Sequence, residues 1–138
     1  MAERATADSD GAHSTSVSAS HTLHDLRSPT PVGAVPIVTT ALPDAETIEG
    51  QPWTGTTALL SFEQPVEVGV WEMTQGTCRD VEIDEFFLVL SGRATVTVNG
   101  GPPLALTAGV GLRLHAGDRT IWVVESTLRK IYIAQNGN

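Results

Sequence analysis

The chain has 138 residues, a length typical of one domain, and its 16 acidic residues outnumber its 8 basic residues, giving a net charge of -8. A net-negative protein is not attracted to nucleic acid or to an anionic membrane surface, so we expect neither as a partner. The single cysteine excludes an internal disulfide framework, and no apolar run is long enough to span a bilayer. No apolar block follows Arg4, so a secretory signal is not predicted and we expect a cytoplasmic protein.

The first part of the chain divides into two segments of different composition. Residues 1–28 are small and polar, and such a segment cannot bury enough apolar surface to offset the entropy lost on ordering, so we predict a disordered tail. Residues 29–52 are rich in proline, which disfavours a helix. This second segment is predicted to be an extended arm that lies along the domain and can pair with an edge strand.

From Trp53 onward, short apolar segments alternate with turn signals, a pattern typical of an all-β sandwich or barrel. No segment shows a sustained helical period, so residues 53–135 are predicted to form one β-domain. The predicted strands are residues 56–62, 66–73, 84–90, 94–98, 104–107, 111–114, 120–124 and 128–133.

The stretch 84–101, DEFFLVLSGRATVTVNGG, shows this pattern most clearly. Two strand-like runs rich in apolar and β-branched residues are separated by a break at Ser91 and Gly92. Asn99 and Gly100 follow, and this dipeptide accepts the positive φ angles of a tight hairpin turn. The stretch therefore predicts a β-meander, with the acidic side chain of Glu85 at the start of its first strand.

Glycine, acidic and aromatic residues recur along the same region in a particular order. They are Gly69 to Glu72, Gly76, Asp84, Glu85, Gly92, Ala94 to Thr97, Ala108, Gly109, Ala116, Gly117, Trp122 and Arg129 to Tyr132. At these positions the chain resembles a cupin, a small jelly-roll-like barrel called a double-stranded β-helix, of the branch that includes the (S)-ureidoglycine aminohydrolase cupin domain. The resemblance implies this fold over about residues 53–134. It is less specific for activity, because the architecture hosts enzymes, sugar-binding modules and storage proteins.

The metal-binding motifs of that family are incomplete in this chain. Glu85 and Gly92 fit the second half of the first cupin motif. Counting back from Glu85, Cys78 and Asp80 stand where its histidines are usual, whereas counting forward from Gly76 places Glu82 and Asp84 there. Thr120 stands at the histidine position of the second motif. Imidazole is the usual ligand for transition metals in such sites, so the resemblance implies that the His-ligated metal site is absent and no cofactor is favoured. A divalent metal held by Cys78, Asp80 and Glu85 is a weaker alternative, since zinc accepts thiolate and carboxylate ligands.

The interior of such a barrel would be lined by aromatic side chains. If Glu85 faces inward, as the resemblance implies, alternation along the strand also places Phe87 inside, and Thr120 in the same way brings Trp122. Members of this branch commonly carry tryptophans at the positions of Trp71 and Trp122. An apolar cup with a few polar groups at one mouth suits a small organic ligand with one polar end. The same side chains could equally fill a small barrel without leaving a pocket.

Glu85 is the candidate catalytic residue. Burial would raise its pKa and suit it to general acid or base catalysis, unless Arg79, Arg93 or Arg113 pairs with it and makes it structural. Arg113 alternates along its strand with His115, so these two residues and Glu85 could form a polar ligand-binding site inside the cup. The alternative is that His115 faces water at a strand end.

Our leading hypothesis is a small-molecule-binding cupin protein without the His-ligated metal site. One alternative is a metal-dependent enzyme of aminohydrolase type that acts on a small ureido or amino substrate, as the resemblance implies. Another is a non-catalytic structural or regulatory dimer module. The compact part of roughly eighty residues buries only a modest share of its surface, so a homodimer is expected.

Overall fold

The computed structural model describes residues 21–23, 26–61 and 65–135. These residues form ten β-strands and two single-turn 3-10 segments, and none of them forms an α-helix or a helix long and apolar enough to cross a membrane. The strands are β1 (His21–Leu23), β2 (Thr40–Ala41), β3 (Thr47–Glu49), β4 (Trp53–Ser61), β5 (Val66–Met73), β6 (Gly76–Val81), β7 (Glu85–Val98), β8 (Leu104–Leu106), β9 (Gly111–Leu114) and β10 (Arg119–Gln135).

Most of the predicted tail, residues 1–28, lies outside the described residues. One part of it, His21–Leu23, forms β1, which pairs in parallel with β4. In the arm, the 3-10 turns at Val32–Ala34 and Asp44–Glu46 precede the short strands β2 and β3 respectively. These two strands pair with β4 and β6, so the arm contributes edge strands to the barrel.

The long strands β7 and β10 pair with each other and connect the two layers of the barrel. The C-terminal half of β10 pairs with β5, whereas its N-terminal half pairs with β6. In the same way, the start of β7 pairs with β9 and its end pairs with β8. One layer therefore has the strand order β1-β4-β5-β10-β7-β9, and the other has the order β3-β6-β10-β7-β8.

The sequence predicted two strands where the structure has each of these long strands. The predicted breaks at Ser91-Gly92 and Glu125-Ser126 are bends within continuous strands, and the register between β7 and β10 shifts three times between Val124 and Lys130. Gly92 has a φ of +95°, and a Cβ atom there would lie 2.1 Å from the carbonyl oxygen of Thr127. A bulge and a glycine thus turn the paired strands from one layer into the other.

Strand β6 was not predicted from the sequence, because its buried face carries a thiol and a carboxylate in place of aliphatic or aromatic side chains. The side chains of Cys78 and Asp80 are buried, whereas those of Arg79 and Val81 are exposed. A thiol and a carboxylate at the inward positions give no hydrophobic alternation, which is the signal that predicts a half-buried strand.

The main core lies between the two layers, and a smaller one lies outside them. Fully buried side chains of the main core include Trp71, Met73, Phe87, Val96, Leu106, Leu114, Trp122, Leu128 and Tyr132. The smaller core consists of Val35, Leu59 and Val70, where the arm packs on the outer face of β4 and β5. Burial of such side chains stabilises the fold by about 1.5–3 kcal/mol each.

Arg129 fastens the arm to this outer face. Its Nη2 donates to Oε1 of Glu72 at 2.8 Å, and its Nη1 donates to the carbonyl oxygens of Gly33 and Val35 at 2.7 and 2.8 Å. Both charged side chains are largely buried, so the guanidinium satisfies backbone groups that the arm would otherwise leave without a partner at the sheet surface.

Replacing Gly92 with alanine tests the bend at which β7 and β10 pass from one layer into the other. A Cβ at this position must displace the backbone of β10, so we expect Gly92→Ala to destabilise the protein by at least about 2 kcal/mol more than a matched substitution without a clash. Gly109→Ala is that match, because Gly109 has a φ of +92° and nothing lies within 4 Å of a Cβ placed there. Urea unfolding of both variants measures the difference, and equal costs would contradict the proposed steric origin.

Candidate functional site

The centre of the barrel contains a buried ion pair. Nζ of Lys130 donates to Oε2 of Glu85 at 2.7 Å, and both side chains are completely shielded from solvent. Glu85 is the first residue of β7, and Lys130 lies on the inward face of β10, where it alternates with the buried residues Leu128 and Tyr132. Because β7 and β10 are paired, the two charges meet in the middle of the core.

Three aromatic rings surround the ammonium group of Lys130. Its Nζ lies 4.1 Å from the ring centroid of Phe87 and 4.7 Å from those of Trp71 and Trp122. All three distances fall within the roughly 6 Å over which a cation is attracted to the face of an aromatic ring. The predicted interior residues are therefore together, but they enclose a side chain of the protein itself.

The ion pair sets the protonation state of Glu85. Burial alone would raise the pKa of this carboxyl, whereas the charge of Lys130 and its hydrogen bond lower it, and the pKa lies below the ordinary value of 4.5. Glu85 is therefore ionised at neutral pH. A general acid needs a raised pKa, so this environment favours a structural role for the residue.

The structure does not bring Arg113 and His115 to Glu85. Nη2 of Arg113 lies 3.5 Å from Oδ1 of Asp84, and more than half of the Arg113 side chain is exposed. His115 is exposed as well, and its backbone N–H donates to Oδ2 of Asp118 at 2.8 Å. That hydrogen bond, together with one from the side chain of Asn99, holds the pKa of Asp118 below its usual value.

The other two arginines considered as partners of Glu85 also lie elsewhere. Nη1 of Arg79 donates to the carbonyl oxygen of Ala45 at 3.0 Å, and Nε of Arg93 lies 3.9 Å from Oε1 of Glu125. The partner of Glu85 is a lysine instead.

A second polar cluster lies at one mouth of the barrel. Oε2 of Glu82 accepts hydrogen bonds from Oγ1 of Thr120 at 2.6 Å and from Nε1 of Trp122 at 3.2 Å. The backbone holds Glu82 in place, because its N–H donates to the carbonyl oxygen of Asp118 and its own carbonyl accepts from the N–H of Gly117. Glu82 is 3% exposed, so its carboxylate forms part of the inner wall of the barrel.

A third buried pair closes another part of the interior. The hydroxyl of Tyr132 donates to Oε2 of Glu67 at 2.5 Å. Gly69 is the cross-strand neighbour of Tyr132, and a Cβ atom at Gly69 would lie 2.6 Å from the tyrosine hydroxyl oxygen. This glycine is therefore required so that the tyrosine can reach its partner.

A cavity of about 790 Å³ opens at the mouth beside the second cluster. It lies against β6 and the start of β10, and Thr120 is the one predicted ligand-binding residue that lines it. The predicted residues Trp71, Phe87 and Trp122 lie in the packed centre behind it. Its polar lining includes Glu46, Arg79, Asp80, Glu82, Arg119 and Thr120, and its apolar lining includes Val81, Ile83 and Ile121.

The residues considered for a metal do not fit a transition metal. Burial first, and then the nearby carboxylates of Asp80 and Glu82, raise the pKa of the Cys78 thiol to about 12, so it is protonated at neutral pH. Zinc binds the thiolate form, and Glu85 is already held by Lys130. Among the described residues, no three His, Cys, Asp or Glu side chains are grouped so that they could hold a metal ion. The prediction that no cofactor is favoured stays a prediction.

Sequence reasoning did not assign Lys130, Glu82 or Tyr132 to the packed interior, although one register of the metal motif included Glu82. The signal for Lys130 was present, because alternation from Leu128 through Lys130 to Tyr132 places all three on one face of the last strand. Glu82 follows the end of β6, where no periodicity marks a side chain as buried.

The fold and this interior define the class of protein. Two antiparallel layers that share two long strands around one closed core form the double-stranded β-helix of the cupins, so the predicted fold class is confirmed. A family model described as the EutQ-like cupin domain matches residues 60–132, more than half of the chain. The protein therefore belongs to the EutQ-like cupin domain family.

Solved structures with the same fold are distant in sequence. The EutQ protein of Clostridium difficile is 22% identical with a TM-score of 0.54, and the match covers 61% of this chain and 68% of that one. A cupin superfamily protein of Desulfitobacterium hafniense is 16% identical with a TM-score of 0.57, and its match covers 81% and 94%. The cupin domain of Schizosaccharomyces pombe Cnp3 is 20% identical with a TM-score of 0.51, covering 60% and 65%. No curated protein matches the chain.

The buried pair can be tested by removing one charge and then both. Lys130→Met removes the ammonium that pairs with the buried carboxylate of Glu85, so we expect a loss of about 3–5 kcal/mol in the free energy of unfolding. The double substitution Lys130→Met with Glu85→Leu removes both charges and should recover a large part of that loss. Urea unfolding of the two variants measures both effects, and a single variant as stable as the wild type would contradict the pairing.

The same pair makes stability depend on acid. Because folding lowers the pKa of Glu85, its contribution is fully present above the ordinary glutamate value of 4.5 and is lost as the pH falls through the folded-state pKa. The double variant should lack this part of the acid dependence, which unfolding curves between pH 3 and pH 7 would show.

Proposed function

We propose that the protein is a small-molecule-binding cupin that works without a His-ligated metal. The observation that carries the proposal is the cavity at the mouth, whose volume of about 790 Å³ lies within the range of roughly 300–1,000 Å³ common for small-molecule sites. Its lining combines apolar side chains with a few polar groups, of which Glu82 and Thr120 are buried. Such a surface can orient a ligand through its polar groups while the apolar side chains contact the rest of it.

The charges in the cavity indicate the class of ligand. Carboxylates of Asp80 and Glu82 accept hydrogen bonds, so they suit an ammonium, amino or ureido N–H group. Arg79 and Arg119 line the same cavity, and a guanidinium group suits a carboxylate or another acceptor. We therefore propose a small organic compound with an N–H donor at one end and an acceptor at the other.

Binding is proposed in preference to metal-dependent catalysis. The aminohydrolase alternative needs a divalent metal, and the donor set of Cys78, Asp80 and Glu85 does not fit one. The relationship to the (S)-ureidoglycine aminohydrolase-like branch is supported only by the resemblance of the residues described from the sequence. The cytoplasm stays the proposed location, on the basis of the sequence alone.

A mapped ligand screen tests the proposed site. We expect small amino and ureido compounds to shift the backbone amide NMR signals of residues 79–83 and 119–121 in the full chain. Glu82→Gln should weaken the best binder by about 10-fold or more, because it removes a charge-assisted hydrogen-bond acceptor. Glu125→Gln is the control, since Glu125 is exposed and distant from the cavity lining. Shifts confined to other surfaces, or unchanged binding by Glu82→Gln, would contradict the proposal.

We also propose that the protein is a homodimer that packs through the outer face of β7 and β10. Phe86, Leu88 and Ile133 point outward there and are 45%, 37% and 49% exposed. They are neighbours, because Ile133 pairs with Phe86 and Ile131 pairs with Leu88. A contiguous apolar sheet face of this kind marks an interaction surface. A second copy is the favoured occupant, since a twofold arrangement brings the same apolar strands together and enlarges the buried surface of a small domain.

A charge placed on this face should separate the two copies. We expect Leu88→Glu to convert the dimer to a monomer in light-scattering measurements of molar mass, because a carboxylate would be buried in the interface. Val123→Glu provides the control, since Val123 has a similar exposure of 40% but lies where β10 pairs with β6, in the other layer. A monomeric wild type would refute this arrangement. A protein that stays dimeric with Leu88→Glu but becomes monomeric with Val123→Glu would refute it as well.

A further inference from the structure

We propose that the centre of the barrel is a recognition site for a primary ammonium group, which the chain fills with its own Lys130. This site is separate from the mouth cavity, because neither Lys130 nor Glu85 lines that cavity. The carboxylate of Glu85 lies 2.7 Å from Nζ, and three ring centroids lie 4.1 to 4.7 Å from it. Trp71, Phe87, Trp122 and Glu85 are each at most 2% exposed, so the enclosure is complete.

The arrangement is specific for a cation and does not merely fill space. The rings are tilted against one another, by 50° between Trp71 and Trp122 and by 45° between Phe87 and Trp122, so their faces converge on one point. An aromatic face carries negative electrostatic potential, and converging faces form the kind of cage that recognises ammonium ligands. An apolar side chain at residue 130 would fill the same volume, but it would remove the ammonium that donates to Glu85 and lies over the three rings.

The side chain that carries the ammonium of Lys130 also defines which compound could replace it. The aliphatic stem of Lys130 extends from β10 and delivers the ammonium to the cage, so a free amine cannot enter while the stem is present. Shortening the residue to alanine removes the carbons beyond Cβ and the nitrogen. n-Propylammonium has the same carbons and nitrogen, so it is the ligand that the vacated site should accept. The chemical class of the ligand is therefore a linear primary ammonium ion.

The experiment measures thermal unfolding of the full chain carrying Lys130→Ala. We expect saturating n-propylammonium to raise its Tm by about 4 °C or more, with n-propanol giving less than half of that shift. Lys130→Met should not respond, because its side chain occupies the site without a charge. Lys130→Ala combined with Glu85→Gln should also lose the response to the amine. An equal effect of the neutral alcohol, or no effect of the amine on a folded Lys130→Ala variant, would overturn the proposal.

Two further measurements decide the case in which Lys130→Ala does not fold alone. Refolding from urea should then recover native protein with n-propylammonium and not with n-propanol. If neither compound restores folding, the wild-type protein gives the answer through NMR of its lysine side chains. A charged, slowly exchanging Lys130 ammonium with ring-shifted Hε signals at pH 7 supports the cage. A neutral amine, or Hε signals at their ordinary position, overturns it.

Discussion

One buried charge pair determines how the interior of this barrel is arranged. Removing an ammonium and a carboxylate from water costs several kcal/mol per ion, and only close pairing with further favourable contacts offsets that cost. Lys130 and Glu85 meet this requirement through a 2.7 Å hydrogen bond and three aromatic faces. These groups come from β5, β7 and β10, so the pair is satisfied only when all three strands are in register. We therefore expect this core to select one strand arrangement more strongly than an apolar core would.

The same interior separates two chemical environments along the barrel. The centre is closed and carries its own cation, whereas the mouth is open and lined by acidic and basic groups. Trp122 connects them, because its ring faces Lys130 while its indole N–H donates to Glu82 and lies close to Thr120. A ligand that moved Glu82 would therefore also shift the ring of Trp122, which lies over the ammonium of Lys130. The proposed ligand binding at the mouth is therefore expected to be linked to the stability of the core.

Much of the fold could be predicted from the sequence, because it rests on local signals. The turn at Asn99 and Gly100 and the β-meander around it follow from residue types, and Asn99 indeed has a positive φ of 52°. The continuity of β7 and β10 could not be predicted, since a bulge that keeps two strands paired has the composition of a turn. The pairing of Lys130 with Glu85 was equally hidden, because it joins residues 45 positions apart and depends on strand register. The burial of Glu82 gave no periodic signal either, because a buried acid after a strand resembles a solvated turn residue.

Strand β10 carries two cationic side chains in succession, and each has a fixed destination. Arg129 points outward to Glu72 and the arm, and Lys130 points inward to the aromatic cage. Because neighbouring residues on a strand face opposite sides, a slip by one residue would exchange them. The guanidinium would then face the core, and the arm would lose its hydrogen bonds to Arg129. The two adjacent cationic residues therefore fix the register of β10, the longest strand of the barrel, against its neighbouring strands.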